Sequence, residues 1–244
     1  MSKTQAALKA LFTENPVPRP RKTAAKPVRT QAKSLVQAGD APELDRLNQI
    51  YVAAARLFCE KGFDATSMSD IADEIGFTKA ALYHFITGGK KDLLYAIISY
   101  GMDRLDRVVN EPAQAIDDAE ERLRFIITSH VKLVIQGSSP EGYNPVTVVV
   151  DEVTGLSAAH RRKINQRKRS HIDLIRQTLK ELKLENKLND VDVTVVGFSI
   201  AGTIMWLARW YRPNGRLTVE QVAEEVCKMV LGGVLRPQAR LARK

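Results

Sequence analysis

The stretch Thr66-Ser67-Met68-Ser69-Asp70-Ile71-Ala72-Asp73-Glu74-Ile75-Gly76-Phe77-Thr78-Lys79-Ala80-Ala81-Leu82-Tyr83-His84-Phe85 decides how the chain is read. Ser67 can cap a helix, and Asp70, three residues on, can reach back to it as in a capping box. Met68, Ile71 and Ile75 then recur at helical spacing as inward positions. Gly76 can take the left-handed conformation of a tight turn, and Thr78 offers a fresh cap for a helix over Lys79 to Phe85. Two short helices joined by a brief turn containing Gly form a helix-turn-helix, and Ala72 is small enough to let them cross closely. The spacing alone also admits a pair of structural helices in an unrelated bundle.

Working upstream, Leu47, Ile50, Ala54, Leu57 and Phe58 share one face of a first helix that begins near Glu43 and stops at Gly62. Before it, residues 1–40 carry eight basic side chains against Glu14 and Asp40, with Pro16, Pro18, Pro20 and Pro27 and little hydrophobic periodicity. Such a segment buries too little to offset its ordering entropy and reads as a disordered basic arm, either a phosphate-contacting extension or a solubilising tail. Downstream the pattern is helical throughout: Lys90 to Val109, Ile116 to Ile135, Ser157 to Leu182, Val191 to Tyr211 and Thr218 to Leu235. Within a weaker apolar run from Pro145 to Val153, Val146 to Val150 is β-branched enough for a strand, but no second strand is available to pair with it, so it too is read as helix. The expected fold is all-α. Its parts are a basic arm (1–42), a three-helix DNA-binding domain (43–90), a helical ligand-binding and dimerisation domain (91–236) and a tail (237–244).

The full chain has 244 residues, 44% hydrophobic and 27% charged, with a formal charge of +9. These values are ordinary for a globular protein long enough to bury one large core or two modest ones. No stretch reaches the roughly 18 consecutive apolar residues of a membrane span, and Met1 to Ala10 lacks a signal-like apolar core, so a cytoplasmic protein without a membrane partner is expected. Cys59 and Cys227 lie far apart, with no second thiol or histidine at metal-ligand spacing, and read as reduced packing residues. The four histidines show no zincin spacing, and His160 with His171 are too widely separated to share one metal. Neither a phosphate-cradling Gly loop nor a nucleophile elbow occurs. An enzyme, a metal and a cofactor are all unexpected.

Ala54-Ala55-Arg56-Leu57-Phe58-Cys59-Glu60-Lys61-Gly62-Phe63-Asp64-Ala65-Thr66-Ser67 resembles the first helix and following junction of the tetracycline-repressor (TetR) family of bacterial regulators. Ile71 to Phe85 resembles that family's DNA-reading pair of helices. The chain departs from the family after Phe85, where Ile86-Thr87-Gly88-Gly89-Lys90-Lys91 replaces the usual Pro-Ser-Lys turn. The resemblance implies a homodimer built from the last two long helices, 191–211 and 218–235, binding a near-palindromic operator in double-stranded DNA and releasing it when a small molecule binds. The small residues Gly197, Ala201 and Gly202 fit close helix approach at such an interface. Trp210-Tyr211-Arg212-Pro213-Asn214-Gly215-Arg216-Leu217-Thr218 is similar to a subgroup that answers acyl-coenzyme A thioesters.

From the helix-turn-helix, Thr78, Lys79 and Ala80 are expected at base edges or the adjacent backbone and Tyr83 and His84 at phosphates. Thr66 and Ser67 are expected at the phosphate facing the second helix, and Lys90 or Lys91 at the fourth. An acyl thioester needs an apolar cavity beside cations and a stacking surface. Ile127, Val131, Ile135, Val149 and Met205, with Tyr143 nearby, are candidates for the first; Trp206 or Trp210 for stacking; and Arg209, Arg212 or Arg216 for phosphates. Arg161-Arg162-Lys163-Ile164-Asn165-Gln166-Arg167-Lys168-Arg169 is either a solvated face or a further anion site. The competing reading is an architectural or accessory DNA-binding protein, or an activator, with a solid helical core and no effector.

Overall fold

A computed structural model describes residues 41–136 and 155–237. The chain divides into two compact units, Met1–Gly39 and Asp40–Lys244, and the described residues all belong to the second. The expected arm, the 145–153 segment with Tyr143 and Val149, and nearly all of the C-terminal tail lie outside them.

The helices are α1 (Ala41–Lys61), α2 (Met68–Glu74), α3 (Lys79–Phe85), α4 (Lys90–Leu105), a π-helical turn over Asp106–Asn110, α5 (Glu111–Gln114), α6 (Ala119–Ile135), α7 (Ala158–Leu184), α8 (Val193–Trp210) and α9 (Val219–Val234). The described residues are all-helical apart from one antiparallel β-bridge, Leu188 to Leu235, which clips the end of α9 to the turn between α7 and α8. Arg236 strengthens the clip by donating its backbone N–H to Lys187 O at 2.9 Å and its Nε–H to Leu188 O at 2.8 Å.

Local chemistry sets the ends of the short helices. The Ser67 hydroxyl accepts from the Asp70 N–H, and the Asp70 carboxylate accepts from the Ser67 N–H at 2.7 Å, completing a capping box. The Ser67 hydroxyl, which donates to the Asp70 carboxylate at 2.7 Å, and the Ser67 N–H together hold that carboxyl below its usual range. Helix α2 ends in a Schellman motif: Gly76 has φ +69°, its N–H donates to Asp73 O at 3.2 Å, and Phe77 donates to Ala72 O at 2.8 Å. Thr78 caps α3 through the Ala81 N–H at 3.1 Å. At the end of α7, Asn186 takes the same left-handed role with φ 56°.

One core runs through this unit. Ile50, Ala54 and Phe58 of α1 pack with Ile71, Ala72 and Leu82 of the reading pair, and the cluster continues through Leu94, Ile97 and Ile98 of α4 to Ile126 and Ile127 of α6. Helix α6 is central, packing on α7, α8 and α9, while α4 packs on α1 and α7. Helix α4 therefore touches both the reading domain and the larger helical domain. One interior residue corrects the sequence reading. Gly197 faces inward, with a Cβ there falling 3.1 Å from Arg176 Cγ, so its smallness serves α8–α7 packing within one chain and not an outer surface. Both thiols are free, and burial pushes the Cys59 thiol up to about 11.

Candidate DNA-reading face and effector site

Thr78, Lys79, Ala80, Tyr83 and His84 stand together on the exposed side of α3, opposite the buried Leu82. Tyr83 keeps 39% of its surface free, enough for its hydroxyl to meet a partner outside the chain. An ion pair between Arg56 and Glu74 ties α2 to α1, so the reading helices sit on a fixed base. Ser67 is exposed at the start of α2.

Thr66 and Lys90 are used differently from the sequence expectation. Thr66 is 1% exposed, and its hydroxyl oxygen lies 2.8 Å from Gly62 O and 3.2 Å from Leu57 O, where it seals the end of α1. An enclosed side chain cannot reach a phosphate. The Lys90 ammonium turns inward and donates to Phe63 O at 2.6 Å and Asp64 O at 3.0 Å. Lys91, beside it, is exposed.

The expected ligand residues divide into separate places. Ile127 and Val131 are fully buried on α6, and Met205 is half-buried against the same core. Trp206, at 61% exposure, and Arg209 point to the opposite side of α8 from the buried Ile204 and Leu207. The Arg209 guanidinium lies 5.9 Å from the Trp206 ring centre, so these two residues engage each other on the outside. Trp210 and Arg212 line a pocket of about 290 Å³ with Tyr211, Gly215, Arg216 and Leu217. Arg216 and Leu217 also border a groove of about 900 Å³ between α6 and α9, where Arg124, Lys132 and Lys228 face Glu220, Glu224 and Glu225. Sequence reasoning missed Arg124 and Lys132 because they lie on a helix read only for its apolar side. In the basic run, Arg167 turns inward to Asp103 at 2.7 Å and to Asp106, while Arg161, Arg162, Lys163 and Arg169 are solvated.

Also missed was a buried polar row across α4's π-turn, α7 and α6. Asn110 Nδ2 donates to Asp106 Oδ1 at 2.7 Å, Asn110 Oδ1 lies 2.6 Å from His171 Nδ1, and His171 Nε2 lies 3.2 Å from His130 Nδ1. Desolvation holds the His171 ring down at about 4 against the opposing pull of Asp106, and holds His130 well below its ordinary value.

An exposed reading helix at one end and a larger helical domain at the other, joined by α4, define a helix-turn-helix regulator. Residues 50–97 match the family described as "Bacterial regulatory proteins, tetR family", and residues 116–234 match "Tetracyclin repressor-like, C-terminal domain". A solved structure of AibR in complex with isovaleryl coenzyme A and operator DNA is 34% identical, with TM-score 0.66, covering 77% of this chain and 99% of that one. The regulator PfmR from Thermus thermophilus is 30% identical with TM-score 0.66, covering 77% and 99%. The HTH-type transcriptional repressor KstR2 of Mycobacterium tuberculosis is 27% identical over 197 residues, covering 78% of this chain and 92% of the relative. The chain belongs to the TetR family of bacterial regulators.

Proposed function

We propose that the protein is a homodimeric, DNA-binding transcriptional repressor of the cytoplasm, released from its operator by an acyl-coenzyme A thioester. The observation that best supports dimerisation is the outer face of α8, where Val195, Phe198 and Trp206 stand in solvent around Gly202. Helix α9 extends this face with Met229. A contiguous apolar face of this kind calls for a cover. By length and composition α8 is apolar enough to cross a membrane, which the count of consecutive apolar residues did not register. Its opposite side is nevertheless built into the core against α6 and α7, so a second copy of residues 191–211 and 218–235 is the better cover than lipid. Two α3 helices related by a two-fold axis then read inverted half-sites.

The effector reading draws on the AibR complex, in which isovaleryl coenzyme A and operator DNA are held by a relative covered almost end to end. In this chain Trp210, Arg212, Arg216, Arg124 and Lys132 line adjoining cavities that offer a stacking surface and cations for the nucleotide, while Ile127 and Val131 are enclosed on α6 and line neither. Release follows from the ligand's preference for the conformation that does not fit the operator. The test is operator binding titrated with coenzyme A, free acids and their thioesters. Release by thioesters alone is the expected result; release by a free acid with no response to any thioester overturns the effector class and leaves the repressor standing.

A further inference from the structure

Helices α4 and α7 pack side by side and run in the same direction, so their facing side chains meet in successive rungs. The far rungs are closed. Arg167 reaches Asp103 at 2.7 Å and also Asp106, and His171 Nδ1 lies 2.6 Å from Asn110 Oδ1. The rung nearest the reading domain is open. There the His160 ring stacks on Tyr95, with centres 3.8 Å apart and planes within 9°. Its Nδ1 is nevertheless enclosed without a hydrogen-bond partner, and the Asp92 carboxylate stands 4.0 Å away. An enclosed polar atom left unmatched carries a cost that a second arrangement of the same side chains can remove.

Other contacts gather at this end of the seam. Just before α7, Gly155 presses against the reading domain so closely that a Cβ there would fall 2.7 Å from Phe63 and 2.9 Å from Leu94. Asp92 also accepts from the Gly89 N–H at 3.2 Å, so a pull on its carboxylate is a pull on the loop that joins α3 to α4. We propose that His160 is a conformational latch: in the form released from DNA, Asp92 closes on His160 Nδ1 and α4 pivots about its pinned far end. This rests on the repressor reading given above, in which the effector-free chain is the operator-binding form. A carboxylate only accepts, so the closed latch requires the proton on Nδ1. Asp92 stands about 21 Å along the helix axis from Asp106, so closing a gap of about 1.2 Å turns α4 by about 3°. Tyr95 keeps the ring plane fixed meanwhile, and His160 acts as a positioning residue for α3.

Two experiments on the full-length protein test the latch, and the first needs no effector. Asp92→His sets a second imidazole opposite His160, and Zn2+ bound by both draws them to the closed spacing. Zinc taken up beyond the wild-type amount, read by calorimetry, should weaken operator binding by at least about tenfold, with chelator restoring it and the wild type unmoved. Zinc bound by the pair without loss of operator affinity, or no uptake beyond the wild type, overturns the inference. The second experiment titrates the operator complex with isovaleryl-coenzyme A. His160→Phe keeps the stack on Tyr95 but cannot donate, so the half-release concentration should rise about tenfold while operator affinity without effector stays unchanged. His160→Asn, whose amide offers a donor near the Nδ1 position, should recover most of the response. An unshifted half-release concentration in His160→Phe, or an equal loss of operator affinity, overturns the latch. If no thioester releases DNA from the wild type, the effector class alone fails and the zinc clamp decides the inference.

Discussion

Lys90 Nζ lies 2.6 Å from Phe63 O and 4.6 Å from the centre of the Phe63 ring, so the first residue of α4 grips the junction that follows α1. A shift of α4 must carry this grip with it or break it. Lys90→Met keeps the aliphatic stem and removes the donors. It should cost about 1.5–3 kcal/mol of stability, the range for hydrogen bonds from a charged group, read from urea unfolding. Operator affinity should fall at all salt concentrations alike. A salt slope smaller by about one unit would instead mark Lys90 as a direct phosphate ligand.

Tyr83→Phe should weaken operator and non-specific DNA to the same degree, because a phosphate contact positions the protein without reading sequence. The exposed ring makes the change neutral for folding. Lys79→Ala should either lower the salt slope or relax preference at one base pair. Fluorescence anisotropy with operator and scrambled duplexes measures both, and unchanged binding in both variants would remove α3 from the DNA.

Phe198→Asp places a charge in the middle of the exposed α8 face. The variant should sediment as a monomer with native helicity and lose operator binding by at least about a hundredfold, since one copy reads only one half-site. A Gly197 substitution should behave differently, destabilising the single chain against Arg176. If Phe198→Asp remains dimeric, the interface lies elsewhere.

The histidine pair predicts a pH dependence with a definite sign. Both rings are held below their ordinary value by burial, so the unfolded chain binds protons first as pH falls. Stability should be fully present above about pH 6.5 and decline toward pH 4, by about 1.4 kcal/mol per pH unit for each ring. Thermal unfolding across that window should show the slope, and His171→Gln should reduce it. A flat profile in the wild type would mean that the rings are solvated.

The reading domain was legible because its signals are local. Ser67 with Asp70, Gly76 and Thr78 each act on backbone groups within a few residues, and the structure uses all four as caps or turns. What the sequence concealed depends on direction in space. Thr66 stands next to the exposed cap yet is enclosed, because its hydroxyl seals α1. His130 and His171 are 41 residues apart and meet only through the packing of α6 on α7, with no pattern in either helix announcing it. Trp206 carries the residue type expected of a ligand cradle, but helical phase sends it outward.

The π-helical turn at Asp106–Asn110 holds one residue more than an α-helix would spend on the same path. Removing a single residue there would let the helix relax to the ordinary winding while the residues beyond the turn keep their phase. The turn therefore works as a counting device in the gene. Among relatives, a one-codon gap at this point should therefore leave the helices on either side in register.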